Sequence, residues 1–419
     1  MLVAPNGNAG AAVHRWFHLK EAYSSRLLGH LLREIAPSKT SELRILDPYA
    51  GVGTTAVSLA DLVLRGELTR VCSYGIECNG FLHLVASAKL AALQRPPKSF
   101  VEYSRRLTAI ALSSQTDEPE IPALSTFEDP DFFDREDLIQ LLRLRDAILE
   151  EANRGQDPVA TALANACLGA IIEPVSNLRR DGRALRYTQK RDRPPTIQAF
   201  LAKAKQVGDD LPQKPVRVVG RIIRGDGRRC EGIDGRFDPF DIIVFSPPYP
   251  NNIDYTEVYK LENWLLGFIE DQSSFAQQRM RTVYSHPSVL RPDPLPSIDL
   301  STVENEVALA VIEPILASIP NDRYLEGRRR MIRGYARDML MTLKSARARL
   351  APNGRIVYVV GNSVHGAPPN QFVIAADLII AQLAAAADLE VERIEVARRL
   401  RRRHSSSPFL RESVVFLHA

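Results

Sequence analysis

Arg44-Ile45-Leu46-Asp47-Pro48-Tyr49-Ala50-Gly51-Val52-Gly53-Thr54-Thr55 is the stretch on which the fold turns. An apolar run of strand length ends in an acid, a glycine-containing turn follows, and a helical pattern continues through residues 56–64. Glycine lets such a turn approach a ligand closely, and the helix start offers unpaired backbone N–H groups. A nucleotide-like cofactor suits that geometry, although a plain strand-to-helix turn reads the same way in isolation. The third glycine of the dinucleotide fingerprint is missing, and an acid closes the strand before the turn. One strand further on, residues 71–76 are apolar enough to be buried and end in Glu77, where a carboxylate can accept hydrogen bonds from both hydroxyls of a ribose.

The second decisive stretch is Phe245-Ser246-Pro247-Pro248-Tyr249-Pro250-Asn251. Residues 241–244 before it read as a short buried strand, so Ser246 to Tyr249 fall in the loop at its carboxyl end, where open α/β sheets bind ligands. Two successive prolines stiffen the backbone and cannot donate to a ladder. That leaves the Ser246 hydroxyl, the Pro247 carbonyl and the Tyr249 ring as a rigid platform for a flat, amine-bearing ring. Alone, the tetrapeptide is a proline-rich turn; the strand-turn-helix stretch upstream gives it weight.

Together, Asp47 to Thr55 and Ser246-Pro247-Pro248-Tyr249 resemble motifs I and IV of the amino-methylating DNA methyltransferases, S-adenosylmethionine enzymes that modify exocyclic amines of cytosine or adenine. Other segments agree in order. Phe17-His18-Leu19-Lys20 ahead of an apolar helix over residues 23–35 resembles the segment packing over the methionine end of the cofactor. Glu77 matches the ribose-binding acid, and Arg224-Gly225-Asp226 after a strand over 216–223 matches the loop near the adenine. Residues 355–360 with Gly361-Asn362-Ser363, and residues 411–417, resemble the late strands of that fold; independently of the resemblance, the apolar run 372–389 reads as a buried or half-buried helix. The resemblance implies an α/β fold, a Rossmann-like class I methyltransferase sheet with helices on both faces plus a mainly helical insertion. It assigns the cofactor to Phe17, Lys20, Asp47, Pro48, Tyr49, Gly51, Gly53, Thr54, Glu77 and Asp226, and the chemistry to Ser246, Pro247, Pro248 and Tyr249.

Composition bounds this reading. At 419 residues, 45% of them hydrophobic, the chain is long enough for a large core and too long for one simple domain. The expected organisation is a cofactor-binding half over 1–98, a helical insertion over 99–215, catalytic strands and loop over 216–270, a second insertion over 271–330 and the C-terminal part of the core over 331–419. A net charge of +4 is only mildly basic, so nucleic-acid affinity has to come from local clusters. Cys72, Cys78, Cys167 and Cys230 form no metal-ligand spacing and no disulfide framework, which fits a reducing cytoplasm and no metal. No secretory leader and no membrane span are expected.

Three arginine clusters are candidates for a phosphate backbone. Arg179, Arg180, Arg183 and Arg186 fall in a loop-like, tyrosine-containing part of the larger insertion and are the preferred DNA contacts; residues 328–337 and 398–404 are the others. The partner is expected to be double-stranded DNA, with the larger insertion as candidate recognition region and a separate restriction or defence partner as an option. Serine at the head of the Pro-Pro loop is commoner in the resembling enzymes that make N4-methylcytosine, so cytosine N4 is preferred and adenine N6 is the alternative. With no cysteine in that loop, the carbon-5 route is excluded. An RNA amine methyltransferase and an inactive nucleic-acid-binding relic remain as further readings.

Overall fold

The computed structural model describes residues 2–35, 42–113, 118–129, 131–180, 185–188, 192–251, 253–288, 300–366, 371–400, 407 and 409–419. Its strands are β1 Leu43–Asp47, β2 Val71–Glu77, β3 Leu178–Arg180, β4 Leu185–Tyr187, β5 Val218–Arg224, β6 Phe240–Phe245, β7 Leu350–Gly361, β8 Ser363–His365, β9 Phe372–Ile374, β10 Glu390–Arg399 and β11 Arg411–His418. A seven-stranded sheet has the order β10-β11-β7-β6-β1-β2-β5. From β7 to β5 neighbours run parallel, whereas β11 is antiparallel to both β7 and β10. Parallel neighbours need long crossovers, and helices such as Thr54–Leu64 and Gly80–Gln94 supply them.

Alternation within the central strands explains why both faces are covered. Ile242 and Val244 of β6, Val357 and Val359 of β7, and Val414 and Phe416 of β11 enter one apolar cluster. Their neighbours Ile243, Phe245, Ile356, Tyr358, Val415 and Leu417 enter the other. Successive side chains of a strand point to opposite faces, so such runs are stable only with apolar helices on both sides. This is the Rossmann-like sheet with helices on both faces expected from the sequence. The chain builds outward from β1 to β2 and β5, then returns to the other side of β1 with β6. A crevice therefore opens between the carboxyl ends of β1 and β6, the switch point where open α/β sheets bind ligands.

Several local expectations are corrected. The helix expected over 23–35 is Leu27–Ile35, because the Ser24 N–H bonds Leu2 O at 2.9 Å and the Ser25 N–H bonds Asn8 Oδ1 at 2.8 Å, tying that backbone to the N-terminal segment. The helix expected over 372–389 begins instead with β9 and is helical over Ala376–Ala384. The strand expected from 355 starts earlier, at Leu350. The C-terminal part of the core, expected from residue 331, is entered by a helix that starts earlier, Leu325–Arg347. Residues 99–215 carry helices Phe100–Ser113, Arg135–Asn153, Pro158–Val175 and Thr196–Asp210, and also the β3–β4 hairpin. Leu141, Leu163, Ile172 and Phe200 of this stretch share the cluster of Ile45 and Val57, so it packs directly on the helical layer of the sheet. Among the described helices, Pro158–Val175 is long and apolar enough to cross a membrane, yet most of it is buried inside the protein.

Candidate active site

Asp47 ends β1 and is buried. The Tyr49 N–H donates to its Oδ1 at 3.0 Å and the Thr55 hydroxyl to its Oδ2, while Tyr23 bonds Thr55 in turn. Burial raises this carboxyl to about 6 despite those bonds. Glu77, at the end of β2, accepts the Asn79 N–H at 2.8 Å and the Gly51 N–H at 2.9 Å, which pins the glycine turn to the neighbouring strand. Burial raises it to about 7, more than its backbone donors lower it. Two N–H bonds leave a carboxylate spare lone pairs, and Glu77 presents them to a cavity.

These shifts have a testable sign. The ordinary values are 3.8 and 4.5 and the folded values about 6 and 7, so the native state holds extra protons in that window. Both groups therefore lower stability as pH rises from about 4 through about 7, by on the order of 1 to 3 kcal/mol each. Removing the charge at Glu77 should relieve its share. The stability of Glu77→Gln relative to the parent, from urea melts without cofactor, should improve between pH 5 and pH 7.5; a pH-independent difference would contradict the assignment.

The Ser246 to Pro250 loop leaves β6 and is held at its far end by the Ser363 hydroxyl, which donates to Pro250 O at 2.6 Å. Ser246 Oγ lies 3.0 Å from the Tyr249 hydroxyl, which donates to Glu412 Oε1 at 3.2 Å. Arg398 Nε bonds the other oxygen of Glu412. Tyr249 therefore does not project freely: its hydroxyl is tethered, and its ring lies where a Cβ on Gly361 would stand 2.9 Å away.

Both halves meet in one cavity of about 380 Å³. Lys20, Asp47, Pro48, Tyr49, Gly51, Thr54 and Glu77 line it on one side, and Ser246, Pro247, Pro248 and Tyr249 on the other. Phe17, Gly53 and Asp226 do not. Phe17 is buried edge-on against Phe81, with ring centroids 4.9 Å apart. Gly53 instead shapes the turn: its φ is +80°, and a Cβ there would lie 3.2 Å from Ala86. Asp226 is a correction. Both its oxygens hold the buried Arg228 guanidinium, which also bonds Asp338 at 2.9 Å; the neighbouring Gly227 reaches the cavity instead.

The arginine cluster is likewise divided. Arg179 and Arg186 are exposed and face each other across the β3–β4 hairpin, not in a loop. Arg183 lies outside the described residues. Arg180 turns inward: it pairs with Glu173 and the buried Glu262, donates to Val258 O at 3.1 Å, and stacks its guanidinium on Tyr259. It is a structural cation and not a phosphate contact. Of residues 398–404, the part 401–404 lies outside the described residues.

Sequence reasoning missed several lining groups. Glu412 and Arg398 come from β11 and β10, Glu21 accepts the Tyr259 hydroxyl at 3.1 Å, and Tyr255 bonds Asn251. Arg281, Thr282 and Val283 arrive from the second insertion. Tyr23, which bonds Thr55 at the end of the quoted turn, opens the helix expected from residue 23, but nothing local marks Glu412 as a neighbour of Ser246. Among the described residues no group of His, Cys, Asp and Glu could hold a metal ion.

Known proteins bear out the resemblance carried by the motifs. The chain is 25% identical to the Type II methyltransferase M.AvaI of Nostoc sp. over 440 aligned positions, covering 94% of this chain and 83% of that protein. It is 27% identical to the Type II methyltransferase M.BsoBI of Geobacillus stearothermophilus, covering 64% of this chain and 55% of that one. No family model matches. Among solved structures, the rRNA methyltransferase aviRa of Streptomyces viridochromogenes aligns at 11% identity over 98% of this chain and 91% of its own, with a TM-score of 0.30, too loose an overlap to compare the sites.

Proposed function

We propose that this chain, which aligns over 94% of its length with the Type II methyltransferase M.AvaI, transfers a methyl group from S-adenosylmethionine to the exocyclic amine of a base in DNA, cytosine N4 being preferred over adenine N6. The observation that carries the proposal is the convergence of Asp47, Glu77 and Ser246-Pro247-Pro248-Tyr249 on one cavity at the sheet's switch point. The cavity suits the cofactor, because the Glu77 carboxylate faces it with acceptor capacity left for ribose hydroxyls and pins the Gly51 turn beside them. Asp47, Tyr49, Gly51, Thr54 and Glu77 would hold the group, and Lys20 stands at the same wall. Bound there, S-adenosylmethionine supplies an electrophilic sulfonium methyl.

The protein's own residues have to make the amine nucleophilic. Its lone pair is delocalised into the ring, and hydrogen bonds to the Ser246 hydroxyl and the Pro247 carbonyl would draw the nitrogen toward tetrahedral geometry. The base leaves the duplex to reach them, since its amine is otherwise paired and shielded. Tyr249 lines the cavity beside that position. No covalent nucleophile is needed.

Arg179 and Arg186 remain candidates for the DNA track, on an exposed hairpin. Changing both to Ala should flatten the salt dependence of DNA binding by about one unit of slope for each phosphate no longer neutralised, with cofactor affinity unchanged. A slope equal to the parent's would place the DNA track elsewhere, with residues 328–337 the next candidate. The proposed function is tested by label transfer from S-adenosylmethionine to duplex DNA and to total RNA in parallel. Transfer to DNA alone is expected; transfer confined to RNA would replace the substrate assignment.

A further inference from the structure

We propose that Glu412 is the terminal proton acceptor of the reaction, reached from the substrate amine through the Ser246 and Tyr249 hydroxyls and held in place by Arg398. The inference rests on the methyltransferase reading above and extends it to a residue that the sequence motifs do not include. Ser246 Oγ and the Tyr249 hydroxyl are 3.0 Å apart, and that hydroxyl donates to Glu412 Oε1 at 3.2 Å. Ser246, Tyr249, Glu412 and Arg398 all line the cavity.

The local fold makes this hydrogen-bonded chain specific. Glu412 is the second residue of β11 and stands opposite Gly361 of β7, where the absence of a side chain leaves room for the Tyr249 ring. The Glu412 side chain is nearly buried, while that of Arg398 is about a third exposed and connects the site to solvent. The charged and titratable groups facing Glu412 are Arg398 from β10 and Tyr249 and Tyr255 from the loop and the short helix after β6. Burial pushes the carboxyl up, and Arg398 and the Tyr249 bond only partly reverse this.

Transfer creates the need for such an acceptor. As the nitrogen–methyl bond forms, the methyl–sulfur bond breaks and its electron pair stays on sulfur, leaving a neutral thioether. The nitrogen then carries a positive charge and must lose one proton. Ser246 cannot keep that proton. It can accept it only while passing its own hydroxyl proton to Tyr249, which passes its own to the Glu412 carboxylate. The balance is one amine proton released and one carboxylic acid formed, which later ionises toward the Arg398 side.

The test is single-turnover methylation of duplex DNA by the full chain from pH 5 to 8, with saturating cofactor so that Asp47 and Glu77 stay occupied. The parent rate should fall toward low pH as Glu412 becomes protonated. Glu412→Gln should be slowed by about 100-fold, lose that acid limb, and keep its cofactor affinity by calorimetry. Glu412→Asp should restore part of the rate together with the limb. Tyr249→Phe breaks the same chain, so the double variant should be no slower than the slower single. A Glu412→Gln protein with parental rate and pH profile, or effects that multiply in the double variant, would overturn the relay alone. A parent that transfers no methyl group would overturn the methyltransferase reading and the relay with it.

Discussion

Ser246→Ala should slow single-turnover methylation by about 100-fold, within the range for loss of a proton-handling group, while cofactor affinity stays within about twofold of the parent. The asymmetry follows from position. Ser246 is at the carboxyl end of β6, and its hydroxyl bonds Tyr249, whereas the acids assigned to the cofactor end β1 and β2. Tyr249→Ala should be at least as damaging, because it removes a ring whose stacking on a base is worth about 1 to 3 kcal/mol and also leaves Glu412 without its phenol donor. Tyr249→Phe keeps the ring and should be milder than Tyr249→Ala. Rapid-quench transfer assays beside calorimetry separate the two effects. Near-normal turnover in Ser246→Ala and Tyr249→Ala would remove this loop from the chemistry.

Arg180→Ala should destabilise the whole protein by roughly 3 to 5 kcal/mol, because removing one partner of a buried pair strands the other charge. Glu262 is fully buried and faces the Arg180 guanidinium, which also packs over Phe17 and Tyr259. The Arg180 backbone carbonyl accepts from Lys20 at 2.9 Å, so the same residue ties the hairpin to the cavity wall. Denaturant melts should show the loss, and the salt dependence of DNA binding should not change. A variant as stable as its parent but with a flattened salt slope would return Arg180 to the phosphate track.

These two residues mark what the sequence discloses. Ser246 is legible because a strand end, two prolines and an aromatic residue form one contiguous signal, and the Asp47 turn and Glu77 are legible for the same reason. The sheet is legible because its central strands are apolar on both faces. Arg180 is not legible: Arg179 and Arg186 differ from it only in which face of a three-residue strand they occupy, and its buried partner Glu262 is far away in sequence. Asp226 fails similarly, since its partner Arg228 is claimed by Asp338 on a distant helix. Gly53 is assigned to the cofactor by the resemblance, yet Gly53→Val would strain the fold itself, given a φ of +80° and Ala86 3.2 Å from a Cβ there. Glu412 is separated from Tyr249 by 163 residues, and only the pairing of β11 with β7 brings them together.

Nucleoside mass spectrometry on DNA incubated with the purified protein and isotopically labelled S-adenosylmethionine tests the central claim most directly. The account predicts label on the exocyclic amine, as N4-methylcytosine, with N6-methyladenine as the variant that leaves the mechanism intact, and neither product from Ser246→Ala on the same time scale. Label on carbon 5 of cytosine, or no labelled nucleoside from a folded, cofactor-binding protein, would contradict it.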